Sequence, residues 1–400
     1  MKITAVRIKR VSAQAPSELV AFQYGCRGCR MLNPTDIYPD FGGQTSVVHC
    51  IPDKTSRILS QCFVEILTDE GLIGVYGPIG NAAVLHYIKA VYAPAIIGLD
   101  PLAGEKIWDI MFRLFPRAYA GEQVFALSAI DNALWDIRCK AAGLPLYRML
   151  GGPAQSRIMA YANCTGFSNE LPNIECTVKE LKRQGYSAIK WYLPYGPGSG
   201  KEGLRSNIQI LEALRAAAGD DMRIMIDVWS GWDLSYTRRM LGTLQSLNIH
   251  FLEEPLLPVE ADNYAALVRE SPIDIAFGEN LFLRWGFKRF LERVPNAVYQ
   301  PDPEWCGGIT ETLHIISLLS SYGARMCMHA SSTQLVTQMS LSVSPGMSDM
   351  VEYILSIAPP TQYFLKTPMH PKDGYITLPD NFIGTGHDID ESRVETVTYE

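Results

Sequence analysis

Apolar and polar residues alternate over residues 4–11, the pattern of a half-buried strand. The same period returns over 61–68 and, after the turn Asp69-Glu70-Gly71, over 72–76. Between these strands runs a stretch from about 14 to 55, rich in Pro, Gly and aromatic residues and carrying Tyr24, Tyr38 and Phe41. A connection of that length in a folded domain points to a functional lid. From about 81 to 150 the period changes. Ala126, Ile130, Ala133, Leu134 and Ile137 fall on one helical face; Gly143-Leu144-Pro145 ends that helix and Leu150-Gly151-Gly152-Pro153 reads as a boundary.

Beyond that boundary, short apolar runs alternate with amphipathic helices. The runs lie at 158–161, 188–192, 224–228, 250–254, 273–279, 297–301, 325–329 and 350–354. Eight strands alternating with helices predict an α/β fold, a closed parallel (β/α)8-type barrel. An open doubly wound sheet is the alternative, but the G-x-G-x-x-G that would favour it is missing. After 360 the chain turns Pro-rich and strand-poor, with a hairpin-like Asp373-Gly374-Tyr375.

Composition narrows the class. Of 400 residues, 47% are hydrophobic and 19% charged, enough apolar mass for a large core. A net charge of −7 without a basic tract excludes a nucleic-acid footprint. No apolar run is long enough to span a membrane or to form a signal peptide core, so a cytoplasmic protein is expected. The nine cysteines are scattered, and reduced thiols are expected. Cys26 and Cys29 form a C-x-x-C pair without the second pair that a zinc site needs, and they read as part of a loop.

The candidate chemistry sits where the strands end. Asp227, Glu253 and Glu279 follow three successive runs at equal spacings of 26 residues. One acidic residue after a strand is commonly a helix cap. Three in register at one barrel edge suit a hard divalent cation, Mg²⁺ or Mn²⁺. Asp302 and His329 end the next two strands, and His329 alone of the seven histidines closes a predicted strand. A neighbouring aspartate orients an imidazole and raises its basicity. Lys190 ends the second strand and Glu352 the eighth; each is either a solvated surface charge or an electrostatic partner at the mouth.

The order Lys190, Asp227, Glu253, Glu279, Asp302, His329, Glu352 resembles the enolase superfamily, mandelate racemase subgroup. Ser128-Ala129-Ile130-Asp131-Asn132-Ala133-Leu134-Trp135-Asp136, Glu253-Glu254-Pro255 and Gly278-Glu279-Asn280 are similar to its motifs, and the resemblance covers nearly the whole chain. It implies an α+β capping domain over 1–153, a barrel catalytic domain over 154–360 and a segment over 361–400 that returns to the cap. It also implies Mg²⁺ on Asp227, Glu253 and Glu279, loss of a proton α to a substrate carboxylate, and a homo-oligomer.

Within the subgroup the chain looks most like sugar-acid dehydratases, through Pro301-Asp302-Pro303-Glu304-Trp305-Cys306-Gly307-Gly308-Ile309-Thr310, Asp227-Val228-Trp229 and Ser331-Ser332. Racemases of the subgroup carry a second lysine where this chain has Tyr192, a weak base at neutral pH. The expectation is a dehydratase of a small-molecule sugar acid. A racemase or epimerase on the same scaffold and a non-catalytic sugar-acid-binding protein are the competing readings.

Overall fold

The computed structural model describes residues 1–17, 19, 31–38, 40, 57–379 and 381–400. Most of the expected lid at about 14 to 55, including Tyr24, Cys26, Cys29 and Phe41, lies outside the described residues. Pro34–Ile37 forms a 3-10 turn, which Asn33 and Asp36 cap reciprocally.

Strands β1 (Ile3–Gln14), β2 (Ile58–Thr68) and β3 (Ile73–Tyr76) form an antiparallel sheet in which Ile8 faces Val64 and Val64 faces Tyr76. The helix Glu122–Ala142 lies on this sheet with the expected Ala126–Ile130–Ala133–Leu134–Ile137 face buried. The approach is close at Gly74, where a Cβ would come within 2.2 Å of the Ala133 carbonyl oxygen. Gly143, in the left-handed region at φ 68, ends the helix.

All eight predicted strands of the second region are present: β4 (Arg157–Asn163), β5 (Ala188–Tyr192), β6 (Arg223–Asp227), β7 (Ile249–Glu253), β8 (Asp274–Phe277), β9 (Val298–Tyr299), β10 (Arg325–Met326) and β11 (Met350–Ile354). They run parallel in the order β10-β9-β8-β7-β6-β5-β4-β11, so the sheet curls round through β4 to β11. The Met326 amide, donating to the Met347 carbonyl at 2.8 Å, ties β10 to the segment leading into β11. Strands β9 and β10 are shorter than expected, which leaves Asp302 and His329 three residues past their ladders. Pro301 and Pro303 carry no N–H, so pairing cannot continue there.

One side chain from each of seven strands, with Cys327 just past β10, packs at the barrel axis: Tyr161, Ala188, Met225, Phe251, Ala276, Val298, Cys327 and Met350. The outer faces of the strands join the helices in the main core. The expectation of a strand-poor tail does not hold. Tyr375–Thr377 (β12) pairs antiparallel with β4, and Thr396–Tyr399 (β13) pairs antiparallel with β1. These strands are three and four residues long and are set by their partners rather than by their own periodicity. Cys62, Cys139, Cys176, Cys306 and Cys327 are free thiols.

Candidate active site

Side chains along a strand repeat their direction every second residue. Two positions on from the axial apolar residues the chain therefore places Asn163, Lys190, Asp227, Glu253, Gly278, Gln300, His329 and Glu352 in one layer at the C-terminal mouth. Glu279 is out of phase with this rule by one residue. Gly278, at φ +139 and against Gln300, with a Cβ that would lie 2.8 Å from its amide nitrogen, turns the backbone and brings Glu279 to the mouth.

Lys190 is fully buried at the centre of the layer. Its Nζ lies 2.5 Å from Glu253 Oε1, 2.7 Å from Glu352 Oε1 and 3.2 Å from Asp227 Oδ2. Burial disfavours its charge, but Glu253 and Glu352 outweigh that and hold its pKa well above the usual lysine value. The other Glu253 oxygen accepts from Gln300 Nε2 at 2.7 Å. His329 Nδ1 sits 2.6 Å from Asp302 Oδ2, which also accepts from the Ser331 amide at 3.0 Å. His329 Nε2 sits 3.2 Å from Glu279 Oε2, and the Trp305 ring flanks the imidazole at 4.7 Å. Burial works against the imidazolium, yet Glu279, Glu352 and Asp302 hold it well above the usual histidine pKa.

Glu352 takes hydrogen bonds from Asn163 Nδ2 (2.7 Å) and the Ala330 amide (3.0 Å). Burial opposes its ionisation, but Lys190, His329 and these bonds pull its pKa down to about 2. As placed, it has no proton to share and serves as the counter-charge between Lys190 and His329. Tyr192 is drawn in through Asn163, whose Nδ2 donates to its hydroxyl at 3.1 Å. Burial and then the charge of Asp227 push this phenol well above its ordinary pKa, so it stays neutral.

Asn163 and Gln300 were not expected from the sequence, nor was Glu254. Its Oε2 accepts from Asn280 Nδ2 (2.8 Å) and Ser230 Oγ (3.3 Å), and Asn280 also donates to Glu279 Oε1 at 3.2 Å. Trp229 (φ 40), Ser230 (φ 55) and Glu254 (φ 41) are all in the left-handed region beside Asp227 and Glu253. Strain of that kind concentrates at sites where backbone position matters.

The mouth is rich in uncompensated acid. Asp227, Glu253, Glu254, Glu279, Asp302 and Glu352 are buried there against two cationic side chains, Lys190 and His329. Burial, and then Asp227, Glu352 and Glu279, raise the Glu253 carboxyl; burial also raises Glu279, with Asp227 adding to it while His329 opposes. Among the described residues no three His, Cys, Asp or Glu side chains enclose a point tightly enough to hold a cation as they stand. The chemistry of the donors nonetheless fits one: hard oxygens in excess, with Lys190 now supplying positive charge to Asp227 and Glu253.

The fold and this site define a class. Residues 174–393 match the family described as enolase C-terminal domain-like, and residues 49–151 the mandelate racemase / muconate lactonizing enzyme N-terminal domain. The chain belongs to this family, the mandelate racemase branch of the enolase superfamily. Among its relatives, an L-rhamnonate dehydratase of Saccharopolyspora erythraea is 33% identical over 281 residues, 69% of this chain and 69% of that protein. Rhamnonate dehydratase from Gibberella zeae, crystallised in complex with Mg, superposes with a TM-score of 0.83 at 25% identity, covering 98% of this chain and 95% of that one. The 3,6-anhydro-D-galactonate cycloisomerase from Zobellia galactanivorans superposes at 0.75 and 25% identity, over 99% of this chain and 100% of that one. No helix among the described residues is long and apolar enough to cross a membrane.

Proposed function

We propose that this chain is a Mg²⁺-dependent dehydratase of an aldonic or related sugar acid, giving a 2-keto-3-deoxy acid. The observation that carries this reading is the His329–Asp302 contact facing the buried Lys190–acid cluster across one barrel mouth. Kinship with an L-rhamnonate dehydratase over two thirds of the chain supports the substrate class. Residues 1–153 act as the cap, 154–360 as the catalytic barrel and 361–400 as the segment returning to the cap. The working protein is a homo-oligomer in the cytoplasm.

A Mg²⁺ ion, or Mn²⁺ in its place, held by Asp227, Glu253 and Glu279 would supply positive charge at the substrate carboxylate and offset the acid that keeps His329 protonated. Asp302, fixed by the Ser331 amide, keeps Nδ1 of His329 engaged, so Nε2 is the atom that takes the α-proton. Lys190 faces the negative charge that grows on the carboxylate oxygens, in a setting that excludes water. Glu352 and Asn163 hold Lys190 and the region after His329 in place. His329 then returns its proton to the departing 3-hydroxyl. Tyr192, neutral and engaged with Asn163, offers no second base.

The test is a panel of sugar acids, scored for 2-keto-3-deoxy product and for α-proton exchange in deuterated water. Exchange at only one C2 configuration together with keto product is expected. Exchange from both C2 epimers at similar rates would restore the racemase reading, and no exchange with any acid would leave a binding protein.

A further inference from the structure

Glu304 lies two residues beyond Asp302 and belongs to neither the metal-ligand set nor the mouth layer. Its backbone amide donates to Asp302 Oδ1 at 2.7 Å, the oxygen that the imidazole and the Ser331 amide leave free. Its side-chain Oε2 accepts from the Tyr76 hydroxyl at 3.0 Å. Tyr76 ends β3 of the antiparallel sheet, is fully buried, and packs on His387 with ring centroids 4.8 Å apart. One residue thus holds the aspartate that orients His329 and is itself held by the other sheet of the molecule.

We propose that Glu304 is a positioning residue that couples the seating of the cap sheet to the alignment of the Asp302–His329 dyad. The inference rests on the assignment of His329 as the base.

The surroundings suit that task. The Glu304 carboxyl lines a small cavity between the two regions, with Gly77 and Pro78 on the cap side and Ser331, Ser332, Gln334 and Thr361 on the other; none of these bears a charge. The titratable groups that face it are Asp302, His329 and Tyr76. Burial keeps Tyr76 neutral, and His387 behind it is pushed down to about 3 by burial and stays neutral too. Burial and the charge of Asp302 push the Glu304 carboxyl up to about 8, against the opposing pull of Tyr76 and His329. Near neutral pH Glu304 is therefore a neutral acid. Tyr76 donates to one of its oxygens, and Glu304 adds no negative charge of its own beside Asp302. Ionisation above that pH sets a charge beside Asp302 and loosens the arrangement.

The experiment uses the full chain with a sugar acid that it dehydrates. Tyr76→Phe and Glu304→Ala should each lower kcat about tenfold, the scale of one lost hydrogen bond acting in the transition state, with little change in KM. The double variant should be no worse than either single one, because both break the same link. Glu304→Gln keeps a polar group on Tyr76 and should recover part of the Glu304→Ala loss. The wild type should lose kcat/KM above about pH 8, and Glu304→Gln should abolish that fall.

Unchanged kcat in both single variants, losses that multiply in the double variant, or an alkaline fall that persists in Glu304→Gln would each overturn the proposal. If the wild type dehydrates no sugar acid, the proposed function fails on its own. The link is then read by carboxyl ¹³C titration of Glu304, its resonance identified by its loss in Glu304→Gln. A midpoint near 8 that moves higher in Tyr76→Phe supports the link, and a midpoint that Tyr76→Phe leaves in place overturns it.

Discussion

Two buried clusters of charge in this molecule use the same residue types to different ends. One joins the helix Glu122–Ala142 to its neighbours. Asp131 accepts from the Thr310 amide (2.8 Å) and hydroxyl (2.7 Å). Asp136 accepts from the amides of Val75 (3.0 Å) and Thr385 (2.8 Å) and from Lys140 at 2.5 Å, and Lys140 reaches on to Asp388. Every oxygen of those two carboxylates has a donor. At the barrel mouth six buried carboxyls face two cations, and Glu253 and Glu254 are pushed up by burial and then by neighbouring acids. Burial of charge alone therefore does not mark a site. A joint balances its acids with fixed donors, whereas a site keeps an excess for something that arrives.

The sharpest break in this comparison is chemical. His329→Asn should lose at least about 10³-fold in both dehydration and α-proton exchange, while circular dichroism and the melting temperature stay close to wild type. Tyr192→Phe should lose only a few-fold, because among the described residues its hydroxyl accepts from Asn163 alone. Comparable losses in the two variants would mean that the site has two bases.

Glu253→Gln should abolish turnover and weaken Mg²⁺ binding measured by calorimetry, yet leave the metal-free protein as stable as wild type or more so, since it removes one of the repelling acids. Exhaustive chelation should stop the wild type in the same way. Activity that survives chelation would remove the metal from the reading.

At the joint the pattern should reverse. Asp136→Asn strips a donor-saturated carboxylate from beside Lys140 and should cost ~3 kcal/mol in urea unfolding, with the residual folded enzyme retaining its kcat. Equal destabilisation by Glu253→Gln would erase the distinction between the clusters.

The last break concerns pH. The folded chain holds His387 near 3, against about 6.5 when unfolded, through burial and then Lys140. The unfolded state therefore binds the extra proton between those values, and stability present above about pH 6.5 declines as the pH falls toward 3. His387→Gln should flatten that decline in melting temperature, and an unaltered slope would assign the acid sensitivity elsewhere.

Much of this architecture can be read from residue order, and the exceptions have physical causes. The barrel strands are visible because their runs are buried on both faces. Glu253 and His329 stand out because charge after an apolar run is conspicuous. Asn163 and Gln300 are neutral amides and draw no such attention, although each sits two residues beyond an axial apolar side chain, as Lys190 and Asp227 do. Counting by twos from Tyr161 and Val298 finds both. Glu279 defeats the count, because the phase shift at Gly278 depends on how closely Gln300 approaches. The partners that hold Glu352 at the mouth come from three different segments, so no local pattern announces them.

The pairing of β1 with β13 joins residues at opposite ends of the numbering: Lys9 faces Tyr399, and Ser12 faces Thr396. During synthesis the first strand emerges early, while its outer neighbour emerges only after every barrel strand has been made. For that interval β1 has β2 on one side and an open edge on the other, a row of unpaired amides and carbonyls. Residues 396–399 thus act as a late fastener. A chain cut before residue 396 could still build its barrel, but it would carry a sticky border through every later encounter with its own copies.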